Sequence, residues 1–163
     1  MILMDLNEQA DRDFGRAWRR ALLGRLVSRL RGKTTSQASF DEVRRHLRAH
    51  NRVRRGVRTV DPQKIAGSVG RRGDFDRSFM PLRAGAGERW KRVDLAYYRD
   101  VNLPPVKLYK LGDDYFVEDG NHRVSVARFH GLPAVDAEVT EFRPAHVDDR
   151  GAKRAEGPEA RAA

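Results

Sequence analysis

The sequence predicts one small α/β domain of the α+β kind, preceded by a basic helical hairpin. Three observations predict it. Apolar residues recur at helical spacing between Asp5 and Leu47, alternating residues around a tight turn span Val106 to Val117, and Gly120 leads from that hairpin into a short helix. A chain of 163 residues has room for one ordinary domain and an appendage.

The elements follow in order. From Asp5 to about Leu30, Leu6, Ala10, Phe14, Ala17 or Trp18, Ala21 or Leu22, Leu26 and Leu30 form an apolar stripe, and Gly32-Lys33-Thr34-Thr35-Ser36 ends the helix. Ser39 and Glu42 make a capping box for a second helix carrying Phe40, Val43 and Leu47. The two stripes must be buried against each other, the main domain or another copy, so a homo-oligomer through these helices is one expected arrangement. Val57, Val60 and Ile65 around Asp61-Pro62 read as a strand broken by a turn, followed by the glycine-rich loop 67–74. A helix from Glu88 to Asp100 buries Trp90, Val93, Ala96 and Tyr97, and stops before Pro104-Pro105. After the hairpin comes a helix ended by Gly131, then a half-buried strand through Val135, Ala137, Val139 and Phe142. This gives a helical extension over 1–55, a domain over 56–144 and a disordered tail over 145–163.

Composition narrows the chemistry. Hydrophobic residues at 39% and charged residues at 34% suit a soluble globular chain. With no cysteine there is no disulfide, thiolate metal site or thiol nucleophile. The start resembles no export signal and no long apolar run follows, so a cytoplasmic chain without a membrane partner is expected. Residues 1–58 hold 15 Lys/Arg against 6 Asp/Glu, whereas residues 59–163 hold 18 against 17, so the net charge of +10 sits almost wholly in the first third. Such a segment attracts DNA or another polyanion through residues 12–58, or is simply a solvated face.

The candidate chemistry lies in Asp119-Gly120-Asn121-His122-Arg123. The first amides of a helix have no internal acceptor and sit at the positive end of its dipole, which suits an anion. Gly120 allows close approach, Arg123 has the fork geometry for phosphate, and His122 donates a hydrogen bond or moves a proton. Asn121 or Asp119 is the expected helix cap, and Glu118 or Asp119 the expected holder of Mg2+ beside phosphate. Read on spacing alone, the same residues also describe an ordinary polar turn before a helix.

The stretch from Leu103-Pro104-Pro105-Val106 through Tyr115-Phe116-Val117-Glu118-Asp119-Gly120-Asn121-His122-Arg123, then Gly131-Leu132-Pro133, resembles the core of the ParB/sulfiredoxin-like superfamily, over roughly residues 57 to 142. The resemblance implies a small mixed sheet with short helices and a Gly-x-x-Arg turn that binds nucleotide phosphate. Sulfiredoxins carry a catalytic cysteine where this chain has Asn121, so peroxiredoxin repair is excluded. ParB domains carry an acidic residue there and a further DNA-binding module, so a sliding clamp is not expected. The Asp-Gly-x-His-Arg form is closer to the free-serine kinase branch, which implies phosphoryl transfer or nucleotide hydrolysis.

Gly67-Ser68-Val69-Gly70-Arg71-Arg72-Gly73-Asp74 is then the loop expected to fold over the ligand, with Arg71 or Arg72 clamping phosphate. For catalysis the candidates are His122, Asp119, Asp74 and Asp76, the last two a minimal carboxylate pair for Mg2+ or proton transfer. His46 and His50 have i, i+4 spacing without a third ligand, and read as a surface pair; no resident metal is expected. The rival reading is a non-enzymatic DNA-associated protein using the basic helices; a nuclease lacks a visible metal cluster.

Overall fold

The computed structural model describes residues 5–70 and 73–144; Arg71, Arg72 and the tail expected from 145 lie outside the described residues. Helix α1 (Leu6–Leu30) starts at Asp5, whose carboxylate accepts from the Asn7 amide at 3.0 Å. Helix α2 (Phe40–His46) is capped by the Ser39 hydroxyl, which accepts from the Glu42 amide at 3.4 Å. Strand β1 (Ala49–Val60) runs through a 3-10 turn, Pro62–Lys64, into β2 (Ile65–Ser68). Helix α3 (Gly87–Tyr98), the hairpin β3 (Val106–Leu111) and β4 (Asp114–Asp119), helix α4 (Asn121–Phe129) and β5 (Val135–Pro144) complete the order.

The sheet is mixed, in the order β1-β5-β3-β4-β2. β1 pairs with β5 and β3 with β4 antiparallel, whereas β3 with β5 and β2 with β4 are parallel. Alternation along the strands supplies two buried faces. Val106, Leu108, Val117, Ala137 and Val139 meet α1, α3 and α4 on one side, while Leu111, Phe116 and Phe142 meet Phe40 of α2 on the other. The expected α+β class is therefore the observed one.

Three local expectations change. The first two helices do not form a hairpin: α1 packs on α3, and α2 sits across the sheet with Phe40 edge-on to Phe116 and Phe142. α1 buries Ala10, Asp13, Ala17 and Ala21, because small side chains let two helix axes come close; Trp18, Leu22, Leu26 and Leu30 face outward instead. Residues 49–55, expected in the helical extension, are the first half of β1. The basic residues are consequently divided rather than gathered on one surface. Arg55 pairs with Glu141 at 2.7 Å and Arg52 lies over the Phe142 ring at 5.3 Å, while Arg20 of α1 covers Phe129 at 4.8 Å. Among the described residues no helix is long and apolar enough to cross a membrane.

Candidate functional site

β4 carries the chain to Gly120, which turns it into α4 with φ 109° and ψ 25°. A Cβ there would lie 2.7 Å from Val106 Cγ1 and 3.1 Å from Arg123 Nη2, so the turn admits only glycine on both conformational and steric grounds. Neither Asn121 nor Asp119 caps the helix, contrary to expectation. Gly120 occupies the cap position with no side-chain cap, Asn121 begins the helix with its amide oxygen bonded to the Ser68 hydroxyl, and Asp119 turns to Arg123. The helix start is thus tied to the end of β2 while its leading amides keep no side-chain acceptor from the capping position.

α3 is held against α4 by Trp90, whose indole N–H donates to the buried Ser125 hydroxyl at 2.9 Å. That contact sets α3 beside the start of α4 and opens a cleft of about 630 Å3. Gly120, Asn121, His122 and Arg123 form one wall, and Arg89 and Arg92 of α3 form the other. Glu118, Asp119 and Gly70 stand at its margin. A neighbouring hollow of about 370 Å3 shares Arg89 and His122 and adds Asp74 and Arg83. His122 is half-buried, edge-on to Phe75 with ring centroids 5.2 Å apart.

Arg123 lines the cleft but its fork is already engaged. Its Nη2 donates to Asp119 Oδ2 at 2.8 Å and its Nη1 to the carbonyls of Pro104 and Pro105, the latter at 3.0 Å; the side chain is 17% exposed. It fastens the 104–105 segment to the first turn of α4 with the same fork expected to meet phosphate. Arg89 and Arg92 are the guanidinium groups that sequence reasoning missed. Their signal was present as two arginines three apart on the helix that buries Trp90, but nothing local says which neighbour that helix faces.

The candidate acids separate. Asp74 is in the smaller hollow, 3.6 Å from Arg83. Asp76 is buried away from both cavities, its Oδ1 accepting from the Ser78 and Met80 amides at 2.8 Å each. It shapes the loop rather than reaching a ligand. Burial raises its pKa above the ordinary 3.8, against the lowering effect of those amides. A raised carboxylate holds its proton more tightly folded than unfolded, so its contribution to stability declines as pH climbs from below 3.8 through the raised folded value. Asp76→Asn keeps the acceptor and is expected to remove that slope. Asp76→Ala strands two amides and is expected to cost about 1–3 kcal/mol, both read by urea denaturation across the acid range. The glycine-rich loop is also explained partly by the fold: a Cβ at Gly67 would overlap the Ala38 carbonyl, whose residue crosses β2 there.

With this geometry in hand, comparisons add one structural likeness. A sulfiredoxin from Arabidopsis thaliana superposes with a TM-score of 0.39 and 16% identity, covering 55% of this chain and 85% of that one. No family model matches the chain, and no curated protein matches it.

Proposed function

We propose that this chain binds nucleotide phosphate in the cleft between α3 and the leading end of α4. The observation that carries the reading is the convergence of a helix start without a side-chain cap and two arginines of a facing helix on one hollow of about 630 Å3. The helix start supplies amides and the positive dipole end, Arg89 and Arg92 supply charge, and Arg123 holds the wall in place through Pro104, Pro105 and Asp119. Glu118 and Asp119 are exposed carboxylates at the margin, a fit for Mg2+ shared with phosphate oxygens. Mg2+ there would offset the charge of the phosphates. His122 and Asp74, on the adjoining hollow, are the groups placed to move a proton if the bound phosphoryl group is transferred or hydrolysed.

The test is calorimetric titration of the full chain with magnesium nucleoside di- and triphosphates, after a thermal-shift screen to choose the base. Arg89→Ala and Arg92→Ala are each expected to weaken binding about tenfold, since a charge-assisted contact contributes on the order of 1.5–3 kcal/mol. Arg123→Ala is expected to loosen the 104–105 segment as well. The proposal fails if no nucleotide raises the melting temperature, or if the folded Arg89/Arg92 double variant binds as the parent does.

A further inference from the structure

At the opposite end of α4 three side chains from three helices meet in the interior: Asp13 of α1, Asp94 of α3 and His130, the residue that closes α4. One ligand-type atom from each lies within 4.8 Å of the others. Asp13 is 1% and Asp94 0% exposed, and the imidazole of His130 is 12% exposed, so the group is shut in but reachable from the surface at His130. Two carboxylates buried this deeply need donors, protons or cations around them. His130 Nε2 lies 2.6 Å from Asp94 Oδ1, and Arg16, largely solvated, lies 3.6 Å from Asp13. Asp13 is otherwise held by neutral donors, the Tyr98 hydroxyl at 2.6 Å and the Gln9 amide at 3.1 Å to each oxygen.

The second oxygen of Asp94 is buried with no hydrogen-bond partner. A carboxylate oxygen left bare inside a protein is costly, and a bound cation is one of the few things that satisfies it. The Tyr98 hydroxyl, donating to Asp13 Oδ2, orients that carboxylate.

The geometry points to a divalent metal site of the zinc class formed by Asp13, Asp94 and His130. One imidazole and two carboxylates are ligands zinc accepts, three protein ligands leave a position for water, and a dication with neutral imidazole balances the two carboxylates. The Asp94–His130 hydrogen bond closes the site in its metal-free form. Two ligands on one zinc stand about 3.3 Å apart at bond lengths of about 2.0–2.1 Å, so binding exchanges the shared proton for the ion as Asp94 and His130 part slightly and the other ligand atoms, within 4.8 Å, close in. Tyr97, stacked on His130 at 4.1 Å, and the Gln9 and Tyr98 donors on Asp13 are the second layer that fixes ligand direction. The site is independent of the phosphate reading, which concerns the other end of the same helix.

The experiment titrates the chelator-treated full chain with Zn2+ against a chromophoric competitor and, separately, with Co2+ while recording its visible spectrum. About one equivalent is expected to bind, with Co2+ bands of a four- or five-coordinate nitrogen–oxygen site and a higher melting temperature. His130→Gln and Asp94→Asn are each expected to weaken Zn2+ by at least about tenfold. The His46→Gln/His50→Gln double variant, which removes the sequence's other histidine pair, is expected to leave it unchanged. Circular dichroism confirms folding, and His130→Gln, at the surface edge of the cluster, serves alone if Asp94→Asn unfolds. Absence of stoichiometric binding to the parent chain overturns the site, as does affinity lost with His46 and His50 but kept in His130→Gln.

Discussion

Trp90→Ala is expected to destabilise the protein by about 3–5 kcal/mol, the range for deleting a fully buried aromatic. The ring is 0% exposed and lies 5.8 Å from Phe14 of α1 and 5.3 Å from Phe129 of α4, so a single side chain joins three helices over one face of the sheet. Truncation leaves a cavity among residues that cannot collapse together without moving a helix. It also deprives the buried Ser125 hydroxyl of its indole donor. Trp90→Phe retains most of the ring and isolates that loss, so its cost should be a fraction of the alanine figure. Equilibrium denaturation of both variants checks the order. A Trp90→Ala chain within about 1 kcal/mol of the parent would mean that α3 is not anchored here.

Gly120→Ala should cost about 2–4 kcal/mol, adding backbone strain to overlap. The residue sits at φ 109°, and the new methyl would press on Val106 Cγ1 at 2.7 Å, a side chain itself buried in the main core. Relief requires either the β4–α4 turn or β3 to shift, and both form the cleft. Gly85→Ala is the control: nothing lies within 4 Å of its added methyl, and a change within about 0.5 kcal/mol is expected. Equal effects from the two substitutions would remove the special status of the turn.

Local signals made much of the architecture readable. The Ser39 cap, the β3–β4 hairpin, the Gly120 turn and the alternation in β5 each depend on neighbours within a few residues, and each is present. The partner of α1 was not readable, because its sequence offers an alanine face and a leucine face, and the choice between them depends on how closely α3 can approach. The site divided in the same way. Gly120 and the start of α4 are local features, whereas Arg89, Arg92 and the diversion of Arg123 to Pro104 and Pro105 arise from segments that meet only in the fold. Asp74 and Asp76, two positions apart, look equivalent in sequence; the Ser78 and Met80 amides single out Asp76 for the loop.

The sheet order also sets a timetable for synthesis. β1 leaves the ribosome well before its strand neighbour β5, which ends at Pro144. Until some eighty residues more have been made, its backbone waits with open hydrogen-bonding groups, a delay that slows assembly and invites mispairing. Arg52, Arg54, Arg55 and Arg58 are spaced along that waiting ribbon, and like charges on a strand disfavour its pairing with a second copy of itself.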